Sequence, residues 1–546
     1  MMAEEQTPGS RLRHRLPRAW RQHWKLVGLL VVFSVALLAT ISDVGIKPYI
    51  TGAATVTEAT ITEDLQGTVD LFDTSVDHEL SIDISDVEYD DMIDSFQKDG
   101  DKEWVTATLT IDGTVVNDVG VRLKGNSTLM GLRGNSGGRG GPGGMQPPEG
   151  MEPPEGMELP EGMELPEGTK LPEDGGMPQG GPGGQQGRAG PGGMSQASAD
   201  DPTSLPLLLS FDKHVEGRAY QGMTEISVRP GSPVLNEAMA LSLTKAAGLP
   251  TQDYGYAVYS VNGSETTTRL LLAHPDENAA NNLFDSPGYL YKADASSKLS
   301  YVDDDQSSYS DQFKQINSSD DGTLQPIIDF LKWLDEADEK EFAADLDQWF
   351  DVDSLAEYLA MQNLIVNSDD MGGPGQNYYL WYDLTSKRFS VVSWDLNLAM
   401  QGDATLGPDD EISMFGGNRV ANGQRPGGAG QGLREQGRQG GEQGGQQPPE
   451  WARSPKQQEA GGGRGGNPLK ERFLESEGVK ESYTAAYWRL FEEVYGNGTA
   501  EATAKKLAET VPTSDALTAA ELRTASETIA TWVKERRTAL EAARSS

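Results

Sequence analysis

Two neighbouring stretches of apolar residues, 378–382 and 389–393, are separated by a short polar segment. The first stretch is rich in aromatic residues and the second has β-branched residues at its centre, both of which are typical of strands. Two such strands around a polar turn predict a β-hairpin. In a hairpin centred near Ser386, Asn377 lies opposite Asp395, so an amide and a carboxylate are expected to meet at one end.

The remaining apolar pattern predicts strands mainly in the first half of the chain and helices mainly after it. Alternating or continuous apolar residues predict strands at 80–84, 104–111, 115–123, 207–211, 223–228, 256–261 and 268–272. Apolar residues at helical spacing predict helices at 89–96, 234–247, 323–335, 339–349 and 352–366, and a helical remainder from 468 onward. Strands, then helices, then the hairpin indicate the α+β fold class.

Two low-complexity tracts, 131–204 and 416–466, interrupt this pattern and hold much of the chain's 64 glycines and 30 prolines. Proline at this density is incompatible with a helix or a central strand. Neither tract has the apolar bulk that would offset the entropy lost on ordering, so we expect two disordered inserts. The recurrent methionines of the first tract suit Cu(I) as ligands, but a flexible acidic insert is the simpler interpretation.

The amino-terminal region carries a targeting signal, in which a basic segment, 1–25, precedes an apolar run, 26–46. A basic flank is retained on the cytoplasmic side of a membrane. We therefore expect a transmembrane signal anchor, followed by a linker at 51–74, in a single-pass cell-membrane protein whose main domain is extracytoplasmic. A cleaved signal peptide is the alternative, because the most apolar part, 26–41, is short for a spanning helix of about 20 residues.

Composition narrows the classes of function. The 84 acidic and 45 basic residues give a formal net charge of -39, which argues against nucleic acid as a partner. Cysteine is absent, so disulfides, thiolate metal sites and a cysteine nucleophile are excluded. With only 5 histidines, a histidine-rich metal cluster is not expected either.

The hairpin end is the strongest candidate for chemistry. Asn377 and Asp395 would face each other where the loop carrying Asp369 and Asp370 arrives. Three or four hard oxygen ligands in one place predict a magnesium site, of the kind shared with substrate phosphates. The alternative is that these residues only end turns, as Asp and Asn often do.

The order of motifs around this loop resembles the spore-coat CotH kinase family, whose fold is an atypical, bilobal protein-kinase-like fold. An Asp-containing loop is followed by Asn-Tyr-Tyr-Leu at 377–380 and by a strand that ends in Trp394-Asp395. Further family-like motifs follow in the family's order at 119–128, 207–213, 235–237, 290–292 and 467–469. The resemblance runs from about residue 75 to 535 and divides the foldable chain into a β-rich lead-in, a core and a C-terminal helical part, at 75–130, 205–415 and 467–546.

The resemblance implies the cofactors and the residues that use them. The cofactors are ATP and Mg²⁺. Asp369 would be the catalytic carboxylate, with Asp370 as the alternative. Asn377 and Asp395 would hold the metal ion together with Asn397.

The resemblance also implies a site for the nucleotide phosphates. Glu237 resembles the helix glutamate that pairs with a phosphate-binding lysine, for which Lys124 and Lys213 are both candidates. A charged residue on a strand is also commonly just solvated, so both assignments stay open.

Three features depart from the family pattern. The interval between Asp369 and Asn377 exceeds the about five residues of kinase catalytic loops, because it contains the glycine-rich stretch 372–375. This stretch either bulges outward and leaves the ligands in place, or it marks a lost activity. Asn397 stands where the family often has a second Asp, and the segment 271–274 lacks the Tyr and Glu that are usual there.

Two functions from different classes follow. The first is an extracytoplasmic protein kinase that transfers phosphate from ATP to Ser or Thr of surface or coat proteins. The alternative is a catalytically inactive CotH-like module for surface adhesion or assembly.

Overall fold

The computed structural model describes residues 61–125, 128–132, 197–318, 322–412 and 467–545. The predicted anchor, 26–46, and the predicted second insert, 416–466, lie outside these residues, as does most of the first insert. The end of the first insert is described and folded, with a 3-10 turn at Pro202–Ser204. Within the described ranges, no helix is both long enough and apolar enough to cross a membrane.

The first half of the described chain is mainly β-structure, as its alternating pattern predicts. It contains strands β1 to β9 and two helices, α1 and α2. In chain order they are β1 Glu63–Leu65, β2 His78–Ile84, α1 Asp86–Asp99, β3 Val105–Ile111, β4 Thr114–Leu123, β5 Leu207–Ser210, β6 Arg218–Tyr220, β7 Glu225–Val228, α2 Leu235–Ala246, β8 Tyr254–Val261 and β9 Thr267–Ala273.

Seven of these strands close into a barrel in the order β2-β3-β4-β5-β7-β9-β8. Neighbouring strands are antiparallel except β2 and β8, which run parallel and close the barrel. Alternate residues of β2 are buried, as the pattern 80–84 predicts, and they join one hydrophobic core inside the barrel. Closure leaves no open strand edge in this part of the fold.

Short turns set the register of two barrel hairpins. Asp112-Gly113 joins β3 to β4, and Asn262-Gly263 joins β8 to β9. All four residues have positive φ, between 49° and 81°. This is the backbone of a type I′ turn, which matches the twist of the flanking strands and favours Asn-Gly and Asp-Gly.

The second half is mainly helical and contains one small sheet. Its elements are α3 Glu277–Asn282, β10 Gly288–Ala293, β11 Phe313–Gln315, α4 Gln325–Glu336, α5 Glu339–Asp345, α6 Val352–Leu364, β12 Tyr378–Asp383, β13 Phe389–Ser393, α7 Pro468–Glu475, α8 Glu477–Phe491, α9 Thr499–Thr510 and α10 Ala519–Ser545. A π-helical turn, Glu492–Gly496, follows α8.

The predicted hairpin is confirmed as β12 and β13, which belong to a four-stranded sheet of order β11-β10-β12-β13. Tyr378 pairs with Ser393 and Tyr382 with Phe389. One face of the hairpin packs on the large helical core, and the other face, with Tyr379 and Trp381, joins a small cluster that contains Trp394. Asp395 therefore emerges directly from the end of a well-packed strand.

The combination of a barrel, a mixed sheet and helices confirms the α+β class. The barrel has its own hydrophobic core, and the helices share a second core with the four-stranded sheet. The kinase-like bilobal arrangement stays a prediction.

A fully buried arginine connects α10 to the end of α6. Arg536 donates hydrogen bonds to the main-chain oxygens of Leu364 and Asn363, at 3.0 Å and 2.9 Å. It also donates to the main-chain oxygens of Ala404 and Leu406. Two carbonyls at the end of α6, just before the loop of Asp369, thus receive additional hydrogen bonds from the C-terminal helix.

Candidate functional site

The loop that follows α6 holds Asp369 through polar side chains of its own. Asn367 donates from Nδ2 to Oε1 of Gln362 at 2.8 Å, and its Oδ1 accepts from the main-chain N–H of Asp369 at 3.2 Å. Asp369 itself is only 8% exposed. These hydrogen bonds and its burial therefore hold Asp369 in place without any ligand.

The glycine-rich stretch after this loop folds over Asp369 instead of bulging away from it. Oδ1 of Asp369 accepts from the N–H of Gly375 at 2.6 Å, and Oδ2 accepts from Nδ2 of Asn377 at 2.9 Å. A Cβ added at Gly373 or Gly375 would lie 2.5 Å from an atom of Asp369, closer than real side chains approach. Glycine is required here because the chain must pass so close, and the longer interval still places Asn377 against Asp369.

Asp370 has a different environment, because it forms an ion pair with Lys470 of α7. The Nζ–Oδ2 distance is 2.5 Å, and Oδ1 accepts from the N–H of Gly372 at 2.8 Å. Asn467, which caps α7, donates from Nδ2 to the main-chain oxygen of Met371 at 3.1 Å. The motif at 467–469 is family-like, but nothing in the sequence marks Lys470, immediately after it, as a residue of the site.

Asp395 lies at the predicted end of the hairpin, two residues beyond β13. Its backbone is left-handed, with φ 52° and ψ 65°, a conformation in which Asp and Asn are the usual non-glycine residues. Its Oδ1 accepts a hydrogen bond from Nη2 of Arg229. Burial raises the pKa of Asp395, but the charge and hydrogen bond of Arg229 together with the charges of Lys124 and Lys292 outweigh it, so the pKa falls below its ordinary value.

Glu237 lies in the first turn of α2, and its partner is Arg229 rather than a lysine. Arg229 donates from Nε to Oε2 at 2.7 Å and from Nη2 to Oε1 at 2.5 Å. The expectation that Glu237 forms its ion pair with Lys124 or Lys213 is therefore wrong, because the ion pair is with Arg229. The fork of a guanidinium matches a carboxylate in two bonds, which a lysine cannot do.

Lys124 and Lys213, the two predicted phosphate-binding lysines, differ in surroundings. Nζ of Lys124 donates to Oγ of Ser227 and lies 3.2 Å from Nδ1 of His274. Burial lowers the pKa of Lys124 to about 7, and the positive charge of Arg229 adds to this effect. Lys213 is exposed, with Nζ 5.5 Å from the centre of the Trp104 ring.

Lys292 joins Lys124 on the face of Trp394. The two ammonium groups lie 5.6 Å and 5.0 Å from the centre of that ring. His274 packs edge-on against the same ring, and burial followed by the charges of Lys124 and Lys292 holds its pKa well below the usual value. Cationic side chains thus converge on the residue that precedes Asp395.

Asn397 lies in a 3-10 turn, Leu396–Leu398, directly after Asp395. Its main-chain oxygen accepts hydrogen bonds from Nδ2 of Asn236 at 2.6 Å and from Nε2 of Gln401 at 2.8 Å. Within the described part of the chain, its side chain makes no hydrogen bond to Asn377 or Asp395. Its predicted role as a metal ligand stays a prediction.

The neighbouring carboxylates of Asp395 and Asp370 influence the pKa of Asp369. Burial raises the pKa of Asp369 to about 6, and the negative charges of Asp395 and Asp370 contribute to this shift. The bond from Gly375 opposes the shift. A buried carboxylate with a pKa near neutrality is a group that can accept a proton under physiological conditions.

The donor atoms of the site fit a hard cation. Asp369 and Asp395 supply carboxylate oxygens, and Asn377, whose nitrogen bonds to Asp369, has its amide oxygen left to offer; these are ligands that Mg²⁺ prefers. Among the described residues, no group of three or more His, Asp or Glu is arranged to hold a metal ion by itself. A magnesium ion here would therefore need amide, water or phosphate oxygens as well.

Lys124→Met should increase the stability of the folded protein at neutral pH. Because the pKa of Lys124 is about 7 when folded and about 10.4 in an unfolded chain, the unfolded chain binds an extra proton between these values. The free energy of unfolding of the wild type therefore rises with pH across this window. The variant lacks this pH dependence, because it has no amine to bury. It should therefore be more stable than the wild type by about 1–3 kcal/mol at pH 7.

Urea denaturation of both proteins at pH 7 and pH 9 measures this difference. Lys213→Met, at an exposed lysine, is the matched control and should change little. A Lys124→Met protein less stable than the wild type at pH 7 would contradict the assignment of Lys124 as a buried, destabilising amine.

Comparison with known proteins identifies the family of this chain. The family described as CotH kinase protein matches residues 206–540, a range that contains Glu237, Asp369, Asn377 and Asp395. A search of curated proteins found no match. Because the family match covers more than half of the chain, the protein belongs to the CotH kinase family.

Proposed function

We propose that the protein is an ATP- and magnesium-dependent kinase that phosphorylates Ser or Thr of surface or coat proteins. The observation that carries the proposal is the contact of Asp369 with Asn377, close to Asp395, on which the charges of Lys124 and Lys292 beside Trp394 also act. Phosphoryl transfer requires a carboxylate beside the attacking hydroxyl and positive charge around the phosphates. These requirements match the residues of this site.

Asp369 positions the acceptor hydroxyl and takes up its proton. Its two oxygens are held by Gly375 and Asn377, so the carboxylate cannot rotate freely. Its pKa of about 6 leaves it mainly ionised at neutral pH while keeping it basic enough to accept a proton. Asp370, neutralised by Lys470, is the weaker candidate for this role.

The two lysines beside Trp394 bind the phosphates of the nucleotide. Lys124 and Lys292 lie against Trp394, from which each can reach an anion bound beside Asp395. Asp395 and Asn377 would hold Mg²⁺, with Asn397 as a third ligand. When bound, the ion neutralises phosphate oxygens and orients them for transfer.

Phosphate incorporation by the purified full-length protein tests this proposal. ATP labelled in its γ-phosphate is supplied with Mg²⁺ and with a mixture of surface proteins as acceptor. We expect label on Ser or Thr that disappears when Mg²⁺ is chelated. Absence of label, together with absence of any nucleotide binding, would reject the kinase.

The second candidate is a catalytically inactive module for surface adhesion or assembly. One observation favours it: Arg229 already neutralises Asp395, the principal metal ligand of the proposal. A site whose cation is supplied by its own arginine has less need of a metal ion. The absence of metal-dependent nucleotide binding would leave this candidate ahead.

The kinase is proposed to act outside the cytoplasm, anchored by residues 26–46. The basic segment 1–25 should stay in the cytoplasm, so the remainder should cross the membrane. A reporter fused after Ser546 should be active if it is one that works only outside the cytoplasm. Activity of a reporter that works only in the cytoplasm would contradict this orientation.

A further inference from the structure

Arg229 occupies a position between two carboxylates that come from separate parts of the fold. It follows β7 in the barrel wall, where its main-chain N–H donates to the oxygen of Leu270 at 2.9 Å. Its guanidinium contacts Glu237 of α2 and Asp395 beyond β13. The side chain is 12% exposed, and those of Glu237 and Asp395 are 1% and 27% exposed.

The two contacts of the guanidinium are not equivalent. Glu237 receives two hydrogen bonds, from Nε and Nη2, whereas Asp395 receives one, from the same Nη2. Glu237 is buried in a helix and cannot follow a moving partner. The bond to Asp395 is therefore the one that Arg229 can give up while it stays attached to Glu237.

A cation at Asp395 and the bond from Arg229 compete for the same carboxylate. A guanidinium and a divalent ion within contact of one side chain repel each other strongly in a buried site. Nη1 of Arg229 makes no hydrogen bond within the part of the chain that the structure describes, so it is free to bind another anion. A nucleotide phosphate beside Lys124 is such an anion.

We infer that Arg229 holds Asp395 in the ligand-free protein and exchanges it for a nucleotide phosphate when metal and nucleotide bind together. This inference rests on the proposed function, since it concerns the same nucleotide and the same metal ligand. Arg229 is a positioning residue for Asp395, and Glu237 keeps it in place during the exchange. Metal ion and nucleotide consequently increase each other's affinity. The metal ion displaces Arg229 from Asp395 and so frees it for the phosphate, and the phosphate draws Arg229 away from the metal ligand.

The double variant Arg229→Gln/Glu237→Gln tests the exchange without leaving the buried Glu237 charged and unpaired, while Asp395 keeps its carboxylate for the metal ion. Mn²⁺ binding to the full-length protein is measured by electron paramagnetic resonance, without nucleotide. Mn²⁺ should bind the variant at least about fivefold more tightly than the wild type. Unchanged or weaker Mn²⁺ binding would overturn the inference.

A second measurement addresses the coupling itself. Calorimetry gives the affinity for a non-hydrolysable ATP analogue with and without Mg²⁺. The ratio of the two affinities should be at least about fivefold in the wild type and should be smaller in the variant, in which only the direct contact between metal ion and phosphate remains. An undiminished ratio would overturn the exchange even if Mn²⁺ bound more tightly.

Two further variants serve as controls for these measurements. Arg489→Gln/Glu357→Gln removes another arginine–carboxylate pair with the same 2.5 Å contact, on the surface, and should behave as the wild type. Arg229→Lys keeps a charge beside Glu237, but its single nitrogen is on a shorter side chain, so its contact with Asp395 should weaken and the variant should bind Mn²⁺ more tightly than the wild type even if the double variant fails to fold. Equal Mn²⁺ affinity in Arg229→Lys and wild type would count against the inference.

The outcomes separate this inference from the kinase proposal. If the wild type binds no analogue with Mg²⁺, the kinase proposal fails, and the exchange of Asp395 for a phosphate fails with it. If the analogue binds with Mg²⁺ but neither variant of Arg229 alters Mn²⁺ affinity, the inference fails and the kinase proposal stands.

Discussion

Asp369→Asn should lower the rate of phosphate transfer by at least about a hundredfold, because the amide cannot accept the proton of the acceptor hydroxyl. Nucleotide should still bind with Mg²⁺, since Lys124, Lys292 and Asp395 are unchanged. Initial rates of phosphate incorporation and calorimetric titration of a non-hydrolysable ATP analogue give the two quantities separately.

The stability of the Asp369→Asn variant must be measured separately. The new amide can accept from Gly375 through Oδ1, but its Nδ2 then faces Nδ2 of Asn377 unless one amide turns over. Thermal unfolding should therefore show only a modest loss of stability. Transfer that continues at the wild-type rate in a folded Asp369→Asn protein would remove Asp369 from the catalytic role and return Asp370 to it.

Asp395→Asn should lower the affinity for nucleotide in the presence of Mg²⁺ by at least about tenfold, through loss of a charged metal ligand. Asn is the matched replacement, because it adopts the left-handed backbone of this position as readily as Asp does. The fold should therefore persist, with Arg229 still bound to Glu237.

Titration with and without Mg²⁺ distinguishes a metal ligand from a residue that merely fills space. Without Mg²⁺ the variant should bind the analogue at least as well as the wild type, because Arg229 is no longer held by a charged Asp395. Equal affinity of both proteins in the presence of Mg²⁺ would reject the metal assignment of Asp395. The non-catalytic module would then be the better account of the chain.

The sequence predicted the parts of the site that depend on local pattern. Alternating apolar residues and a polar turn placed β12 and β13, and the register of that hairpin brought Asp395 close to the loop of Asp369. The family-like order of motifs grouped Glu237 and Lys124 in one site. The two do lie near each other, since the charge of Lys124 acts to lower the pKa of Glu237 against the larger effect of burial.

The partners that the sequence missed depend on contacts between distant segments. Arg229 lies next to a strand and carries no local sign that its guanidinium reaches Asp395, 166 residues away along the chain. Lys470 follows a long low-complexity tract, which hides its pairing with Asp370. Charge pairs of this kind become visible only when the two segments are packed together.

The glycine-rich stretch shows a further limit of reasoning from spacing. A longer interval between Asp369 and Asn377 suggested either an outward bulge that leaves the ligands in place or a lost activity. The stretch does not bulge outward, because Gly373 and Gly375 permit an approach that a Cβ would prevent, and a lost activity stays a prediction. Residue type, rather than loop length, decides whether the two side chains meet.

The buried arginine of α10 has a consequence for the order in which the protein is made. Arg536 binds the main-chain oxygen of Leu364, which precedes it by 172 residues, and so completes the end of α6 just before Asp369. During synthesis, the nascent chain contains every proposed catalytic residue long before Arg536 leaves the ribosome. Until then the main-chain oxygens of Asn363 and Leu364 lack the charged partner that Arg536 supplies, so the end of α6 should gain its last hydrogen bonds only when synthesis is almost complete.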